Sequence, residues 1–272
     1  MNIALITGAS SGLGREYVRQ IAANPRELQE LWVIARQVSR DPHVQAVWAV
    51  ARREDRLRQL ASLCACPVRP VPLDLTDPQS LDALRDLLAR EKPTVTRLVC
   101  AAGVGKMGRI DAVSPADSLG MIDLNCRAAV GVTQLCLPYL TRGSRVLELC
   151  STAAFQPMPG LGVYAATKAF LQSYTKTLHY ELLPRGIHVT AVCPYWVKDT
   201  EFIPLAQDGK PGQFRHFPLA SRSRSVVSLS LAASALNLWV ATPGIVCTLH
   251  RLGAKVIPHA LLVPLMDGLR RV

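Results

Sequence analysis

The sequence contains no apolar run of the roughly 18 residues that a helix needs to cross a bilayer, which excludes transmembrane spans. Its eight cysteines include no C-x-x-C pair and no accompanying His-rich spacing, so we predict reduced core thiols and no metal site. The basic residues form no long run, and zinc-finger, RNP and helix-turn-helix signatures are missing. We therefore expect no nucleic-acid partner, although a net charge of +11 favours anionic ligands such as phosphates.

A strand pattern begins directly after the initiator methionine. Residues 2–6 are mostly apolar and leave no room for a cleavable signal sequence, so we expect a cytoplasmic protein. A hydrophobic content of 49% is sufficient for a sizeable core, and the chain length suits one α/β domain spanning residues 1–272.

Strand-like apolar runs alternate with helical patterns as far as residue 193. The runs are rich in Val, Ile, Leu and Ala without regular polar alternation, which indicates strands buried on both faces. This alternation predicts a doubly wound α/β fold with one parallel sheet and helices on both faces. The predicted strands cover residues 3–7, 46–51, 68–73, 95–101, 145–150 and 188–193, and the predicted helices cover residues 12–23, 56–63, 78–90, 121–140 and 164–183.

A glycine-rich turn joins the first predicted strand to the first predicted helix. Its sequence is Thr7-Gly-Ala-Ser-Ser-Gly-Leu-Gly14. In this context glycines let the backbone approach a pyrophosphate, which the free N–H groups of the helix N-terminus attract. The turn therefore predicts a Rossmann-type dinucleotide site. Its candidate contacts are Gly8, Ser10, Ser11, Gly12, Leu13 and Gly14.

The second strand has two candidates, because residues 31–36 (LWVIAR) and 47–52 (VWAVAR) are nearly the same. The first copy also has apolar residues at intervals of three and four, with Pro25 and Pro42 near where a helix would begin and end. We therefore favour a helical insertion in residues 25–46 and a strand over residues 46–51. The alternative is a strand that ends at Arg36.

An arginine follows either candidate strand. In a dinucleotide fold this strand end lies beside the adenosine ribose, where a carboxylate favours NAD and an arginine accommodates the 2′-phosphate of NADP. The sequence therefore predicts NADP (NADPH) in preference to NAD, with Arg52 and Arg53 as the phosphate contacts. Asp74 follows the next strand and is a candidate either for binding the adenine amino group or for capping a turn with Thr76.

The residues with the most informative chemistry are Ser151, Tyr164, Lys168 and Asn125. Tyr164 and Lys168 are four residues apart on a predicted helix, so their side chains lie on one face. Ser151 follows a predicted strand, at the carboxyl edge where an open α/β sheet binds its ligands. Together they indicate a catalytic site at that edge.

These features resemble the short-chain dehydrogenase/reductase family over residues 1–200. The matching motifs are the glycine-rich turn, Cys100-Ala-Ala-Gly103, Asn125, Ser151, Tyr164-Ala-Ala-Thr-Lys168 and Cys193-Pro194. The resemblance implies an enzyme that transfers a hydride between NADP and a small-molecule carbonyl or alcohol, and that forms a homodimer or homotetramer. A non-catalytic NADPH-binding regulatory protein is the alternative, and the intact catalytic residues count against it.

The resemblance also implies roles for individual residues. Tyr164 would exchange a proton with the substrate oxygen, and Lys168 would lower the pKa of Tyr164 and bind the nicotinamide ribose. Ser151 would hydrogen-bond the substrate oxygen, and Asn125 would hold a water beside Lys168. Asn125 and Tyr164 are also implied as cofactor contacts, and the resemblance adds further ones at Ala102, Gly103, Pro194, Val197 and Thr200.

The sequence departs from the family pattern in three places. The usual Asn-Asn-Ala-Gly is Cys100-Ala-Ala-Gly103 here, which removes two polar side chains. Pro194 is followed by Tyr195 instead of glycine, and one additional residue precedes Thr200. We expect these differences to affect sheet hydrogen bonding and cofactor contacts rather than catalysis.

The last part of the chain has two segments of uncertain role. Residues 201–225 stand where the family has its variable substrate lid, and their basic side chains either bind an acidic group or form a solvated loop. Residues 252–272 are apolar with flanking basic residues, and would pack on the core, on a partner subunit or on a membrane surface. The basic residues of the first segment include Arg215, His216, Arg222 and Arg224.

Overall fold

The structure of the protein is a computed structural model that describes residues 1–23, 44–208, 217 and 219–271. The described strands form a 7-stranded parallel sheet in the order β3-β2-β1-β4-β5-β6-β7. The order reverses between β1 and β4, which opens a crevice at the carboxyl ends of these strands. The strands are β1 (Asn2–Thr7), β2 (Ala46–Ala51), β3 (Val68–Pro72), β4 (Thr94–Cys100), β5 (Arg145–Leu149), β6 (His188–Val192) and β7 (Val240–Ala241).

Helices cover both faces of the sheet, which confirms the doubly wound prediction. The described α-helices are α1 (Gly12–Ile21), α2 (Glu54–Ala61), α3 (Pro78–Glu91), α4 (Pro115–Ile122), α5 (Ala129–Cys136), α6 (Gly162–Leu182), α7 (Phe202–Gln207), α8 (Ser223–Ala235), α9 (Ile245–Val256) and α10 (His259–Arg271). Successive residues of β1 alternate between two apolar cores. Ile3 and Leu5 pack with α3, α5 and α6, whereas Ala4 and Ile6 pack with α1, α2 and α8.

The second of the two similar segments forms β2, as the sequence favours. It pairs with β1 from Ala46 opposite Ile3 to Val50 opposite Thr7, and every residue in it is buried. Arg52 follows directly, and α2 begins at Glu54. A helical insertion is predicted for residues 25–46. Residues 25–43 of it, which include Arg36, lie outside the described residues.

The single helix predicted for residues 121–140 differs from the structure. It begins earlier, because the hydroxyl of Ser114 accepts a hydrogen bond from the backbone N–H of Asp117 at 3.0 Å and starts α4. Residues Asp123–Ala128 form a π-helical turn between α4 and α5. The prediction of one regular helix was therefore wrong, since apolar spacing does not reveal a local change from i→i+4 to i→i+5 bonding.

The chain after β6 contains more helix than the sequence predicts. α7 lies within residues 201–225, the predicted substrate lid, and α8, α9 and α10 follow. Core packing was one alternative for the apolar tail, residues 252–272. Leu262 is buried in this way, but Leu252, Val256 and Leu261 are more than half exposed. No helix in the described part of the chain is long and apolar enough to span a bilayer.

Candidate active site

A cleft of about 540 Å³ opens at the carboxyl edge of the sheet. Every candidate site residue except Asn125 lines it, although the residues come from six different strand ends and two helices. The structure therefore brings the sequence-predicted residues together in one crevice. They are Gly8, Ser10, Ser11, Gly12, Leu13, Gly14, Arg52, Arg53, Asp74, Ala102, Gly103, Ser151, Tyr164, Lys168, Pro194, Val197 and Thr200.

The glycine-rich turn is too tightly packed for side chains at two of its glycines. A Cβ on Gly8, which has φ +66°, would lie 2.8 Å from the backbone N of Ala102, and a Cβ on Gly14 would lie 2.3 Å from the O of Gly8. Gly12 is different, because its Cβ would meet only Thr200, at 3.6 Å. Ser11 makes no side-chain cap to α1, so the first N–H groups of this helix suit a pyrophosphate.

Arg52 and Asp74 lie together at the adenosine end of the cleft. Their charged atoms are 3.6 Å apart, and both side chains are exposed. Asp74 Oδ1 accepts hydrogen bonds from the backbone N–H and the hydroxyl of Thr76, at 3.0 and 2.7 Å. Burial alone would raise the pKa of Asp74, but the Thr76 hydrogen bonds and the Arg52 charge lower it on balance. Asp74 thus caps its turn while lining the cleft.

Glu201 is a charged residue of the site that the sequence analysis missed. One of its carboxylate oxygens accepts a hydrogen bond from Arg53 at 3.0 Å, and the other accepts one from Arg56 at 2.5 Å. Arg53 Nε also donates to the hydroxyl of Ser10 at 3.3 Å. The segment before α7 is therefore tied to the end of β2. The surplus of arginines in residues 52–58 is the sequence signal for a carboxylate partner.

Ser151, Tyr164 and Lys168 meet at the inner end of the cleft. The ammonium of Lys168 is 5.8 Å from the ring centroid of Tyr164 and donates a hydrogen bond to the O of Leu149 at 2.6 Å. The hydroxyl oxygen of Ser151 accepts a hydrogen bond from the N–H of Ala153 at 3.1 Å, and Ser151 is close enough to Tyr164 to lower the pKa of its phenol. Tyr164 and Lys168 are both buried. A phenol, a hydroxyl and an ammonium therefore share one pocket shielded from water.

The protonation of Tyr164 depends on its burial. Burial raises the pKa of Tyr164 to about 12, and the hydrogen bond with Ser151 offsets only part of that effect. Burial also lowers the pKa of Lys168, which neighbouring groups partly oppose. The lowering of the Tyr164 pKa by Lys168 that the resemblance implies stays a prediction, because in the structure the effect of burial on Tyr164 is larger than the effects that lower its pKa. Tyr164 is protonated at neutral pH.

Asn125 lies behind the cleft wall, fully buried in the π-helical turn. Its Nδ2 donates to the O of Val104 at 2.9 Å and to the hydroxyl of Thr167 at 3.0 Å, and its Oδ1 accepts from the N–H of Val104 at 2.9 Å. A Cβ on Gly103 would lie 3.1 Å from this Oδ1 and 3.3 Å from Lys168 Nζ. Asn125 therefore fixes the loop after β4 against α6, next to the lysine.

A buried glutamate accompanies the loss of the two family asparagines. Cys100 is paired with Glu148 across β4 and β5. Glu148 Oε1 accepts a hydrogen bond from the Thr133 hydroxyl at 2.6 Å, and the same hydroxyl lies 3.5 Å from the Cys100 thiol. Burial raises the pKa of Glu148 to about 7, although these hydrogen bonds and the charge of Lys168 act to lower it. Where the family has two asparagine side chains, this sheet thus has a buried cluster of Glu148, Thr133 and Cys100.

The remaining candidate residues occupy the loops after β4 and β6. The N–H of Ala102 donates to the Thr7 hydroxyl at 3.1 Å, which joins the loop after β4 to the end of β1. Val197 forms an isolated parallel bridge with Ser221, and the Thr200 hydroxyl donates to the O of Val197 at 3.0 Å. These bonds fix the loop that carries the additional residue.

Aromatic residues cover the catalytic pocket, and the sequence analysis missed them too. Phe202 packs on Tyr164 with ring centroids 5.3 Å apart, and Trp196 lies 6.5 Å from Phe202. A Cβ on Gly105 would lie 2.7 Å from Phe202 Cζ. The backbone N–H of Met107 donates to the O of Ala206 at 2.8 Å and connects α7 to the loop after β4. The sequence signal for this aromatic cover is the presence of Trp196 and Phe202 on either side of Thr200.

Two of the four basic residues named for the predicted lid, Arg222 and Arg224, are among the described residues. Arg215 and His216 lie outside the described residues. Arg222 is the N-cap residue of α8, and Arg224 lies in the first turn of that helix. Neither of the two lines the cleft.

A Rossmann-type sheet with this pocket at its carboxyl edge defines a nicotinamide-dependent oxidoreductase. The family model described as short chain dehydrogenase matches residues 2–209. Sulfoacetaldehyde reductase 2 of Chromohalobacter salexigens is 34% identical over 210 residues, which are 74% of this chain and 74% of that protein. The chain therefore belongs to the short-chain dehydrogenase/reductase family, whose members act on alcohols and carbonyl compounds.

Solved structures share the fold over almost the whole chain. A short-chain dehydrogenase from Sphingobium yanoikuyae in complex with NADPH matches with a TM-score of 0.73 at 25% identity, covering 99% of this chain and 94% of that one. The 3-ketoacyl-(acyl-carrier-protein) reductase from Brucella melitensis, complexed with NADH, matches with a TM-score of 0.67 at 22% identity, covering 89% and 95%. This fold thus binds both NADPH, which has a 2′-phosphate on the adenosine ribose, and NADH, which lacks it.

Proposed function

We propose that the protein is an NADP-dependent carbonyl reductase that also catalyses the reverse alcohol oxidation. The observation that carries the proposal is the buried, protonated Tyr164 beside Ser151 and Lys168 at the inner end of a nucleotide-sized cleft. When bound, the nicotinamide supplies or accepts the hydride. The alternative of a non-catalytic regulatory protein is not favoured, because the residues needed for turnover are assembled.

In this proposal Ser151 and Tyr164 both act on the substrate oxygen. Ser151 orients the carbonyl by a hydrogen bond to its oxygen, and Tyr164 donates the phenolic proton to that oxygen as negative charge develops there. The ammonium of Lys168 stabilises the resulting phenolate until a proton from solvent restores the phenol. Asn125 positions the loop after β4 and Lys168 rather than contacting substrate. The pocket wall of α7 excludes water during the reaction.

A Tyr164→Phe variant tests this assignment. We expect kcat for NADPH-dependent ketone reduction to fall by about 10³-fold, because the ring remains but the transferable proton is lost. The dissociation constant for NADPH, measured by fluorescence titration, is expected to stay within about twofold, since Tyr164 adds little ground-state affinity. Undiminished turnover in the variant would contradict the role of Tyr164. Cofactor binding by the wild type without oxidation across a broad ketone panel would instead support the regulatory alternative.

The walls beyond Tyr164 favour substrates with apolar substituents. Met158, Leu161, Trp196, Phe202 and Leu205 line that end of the cleft. Burial of an apolar group against such walls lowers its free energy in proportion to the area removed from water. The ketone panel should therefore span small polar to bulky apolar compounds, and we expect kcat/KM to rise with apolar bulk.

The arginines after β2 support NADP as the preferred cofactor. Arg52 and Arg53 directly follow β2 and line the cleft, where the family position for a carboxylate that favours the free 2′-hydroxyl is an arginine, although Asp74 and Glu201 pair with these two side chains. We expect Arg52→Ala to raise KM for NADPH by about tenfold, the value of a charge-assisted contact, and to leave KM for NADH almost unchanged. Arg58→Ala, at another exposed arginine of the same region, serves as the control. Equal effects of Arg52→Ala on both cofactors would contradict the assignment.

A homodimer or homotetramer is also part of the proposal. Leu119 and Ile122 on α4 and Phe170 on α6 are exposed apolar side chains on two neighbouring helices, as a subunit interface requires. Light scattering after size exclusion gives the subunit number. A monomer at micromolar concentration would contradict this part of the proposal.

A further inference from the structure

The chain from residue 209 to residue 266 contains no acidic residue. Every charged side chain between Asp208 and Asp267 is a lysine or an arginine. In the structure this segment includes α8, the edge strand β7, α9 and most of α10. Any surface built from it is therefore positive or neutral.

α9 presents an apolar stripe to solvent. Ile245, Leu249, Leu252 and Val256 follow one another at intervals of four, three and four residues, which places them on one face of the helix. All four are between 54% and 81% exposed. The opposite face of α9 is the one that packs on the protein, through Cys247 and His250. In α10, Leu261 and Leu265 add further exposed apolar area.

Basic and aromatic residues stand beside this stripe. Arg251 and Lys255 are on α9. Burial lowers the pKa of Lys176 on α6, and the positive charges of Arg251 and Lys255 are close enough to lower it further. The Lys176 ammonium is 5.7 Å from the ring centroid of Trp239. Trp239 in turn packs edge-on against Tyr180, with centroids 5.9 Å apart, and both rings are exposed. A cationic cluster and an aromatic pair thus border the apolar face.

We propose that the α9 stripe and the cluster of Lys176, Arg251 and Lys255 form a docking surface for bilayers that contain anionic lipids. α9 would lie in the plane of the interface, with its apolar face at the level of the acyl chains and its basic residues at the phosphates. Trp and Tyr are the aromatic residues that favour this boundary region. The proposal concerns where the enzyme is held, and it does not depend on the redox activity.

The charge distribution favours a bilayer over a second copy of this chain. A twofold interface places the same surface on both subunits, so the cationic borders of the two stripes would meet each other. Residues 209–266 offer no carboxylate to balance them. Like charges brought together in an interface oppose association, whereas an anionic bilayer supplies phosphate groups and an apolar layer at once.

Co-sedimentation of the full-length protein with vesicles tests the proposal. We expect binding to vesicles of equal parts phosphatidylglycerol and phosphatidylcholine, much weaker binding to phosphatidylcholine alone, and loss of binding as salt concentration rises. Leu249→Ser is expected to weaken binding by about tenfold because it removes one apolar anchor. The double change Arg251→Ala with Lys255→Ala is expected to weaken it by a similar factor or more.

Leu63→Ser is the matched control. Leu63 is 65% exposed, close to the 62% of Leu249, and follows α2 at the other end of the sheet. Circular dichroism and NADPH titration confirm that each variant is folded. The proposal is overturned if the wild type ignores the anionic vesicles, or if Leu249→Ser binds as well as Leu63→Ser. Dimer dissociation by Leu249→Ser without any vesicle binding would assign the face to a second copy and also overturn it.

Discussion

Glu148 holds its proton at a pH where an exposed glutamate is fully ionised. Burial raises its pKa to about 7 in the folded protein, against about 4.3 in an unfolded chain. Between these values the folded state binds more protons than the unfolded state, so the free energy of unfolding falls as pH rises through this window. The contribution of Glu148 to stability is therefore greatest on the acidic side, and it is lost once the carboxyl ionises above about pH 7.

A Glu148→Gln variant isolates this effect, because the amide has a similar shape but does not titrate. Relative to the variant, we expect the wild type to lose about 2–3 kcal/mol of unfolding free energy between about pH 5 and about pH 8. Urea unfolding followed by circular dichroism at the two pH values gives the difference. Glu91→Gln, at an exposed carboxylate, is the control. If the gap between the wild type and Glu148→Gln is the same at both pH values, Glu148 is not the titrating group.

The sequence groups the candidate catalytic residues, but their protonation depends on the fold. Ser151, Tyr164 and Lys168 are recognisable from residue type and spacing, because one strand end and one helix turn carry them all. Their pKa values depend on burial by chain segments that are distant in sequence. The Glu148 cluster likewise needs Thr133 from another helix, a contact that no local pattern contains.

At the scale of secondary-structure elements, two glycines in the first turn of α1 are expected to respond differently to one added methyl group. Gly14→Ala would place a Cβ against the backbone of Gly8 and force α1 away from β1, at a cost of about 3 kcal/mol or more. Gly12→Ala meets no such obstacle and pays only about 1–2 kcal/mol for its left-handed backbone.

The two variants separate folding from cofactor binding. In thermal unfolding, Gly14→Ala should melt well below Gly12→Ala. Gly12→Ala should remain folded and lose affinity for NADPH, because its methyl group projects where the phosphates are expected. The packing argument fails if the two proteins have the same melting temperature.

Elements that follow from local patterning were predictable, and those that depend on irregular bonding were not. β2 was identified because Arg52 leads straight into a helix, whereas the competing copy would have separated them. The π-helical turn at Asp123–Ala128 stayed hidden, since its apolar spacing is compatible with an ordinary helix. The helices α7 to α10 were missed because their segment mixes proline, glycine and serine with amphipathic stretches.

At the scale of the whole molecule, Glu201 connects the end of β2 with the segment before α7. It occupies Arg53 and Arg56, the first of which we assign to the cofactor 2′-phosphate. We therefore expect Glu201→Gln to release both guanidinium groups and lower KM for NADPH by about three- to fivefold, the modest value of half-exposed ion pairs. KM for NADH should not change.

Steady-state kinetics with both cofactors measures this effect. Glu54→Gln, which removes an exposed ion pair with Arg58, provides the comparison. A rise in KM for NADPH in Glu201→Gln would show that Glu201 closes over the cofactor instead of competing with it.

The overall architecture was predictable because βαβ units leave few ways to connect parallel strands. That rule fixes the hand of each connection, whereas the strand order and the crevice between β1 and β4 are known from the structure. The contacts that close the cleft were not predictable, since they join residues 53 and 56 to residue 201 and depend on the three-dimensional path of the chain.

The ring of Phe202 packs at an angle of 49° against the ring of Tyr164, and the Met107–Ala206 hydrogen bond joins its helix to the loop after β4. We expect this ring to narrow the path by which a ketone reaches the phenol and an alcohol departs. Movement of α7 would then be a step of the proposed cycle besides bond making, and such steps often determine the turnover rate. If that movement is slower than hydride transfer, replacing the transferred hydrogen by deuterium would leave kcat almost unchanged.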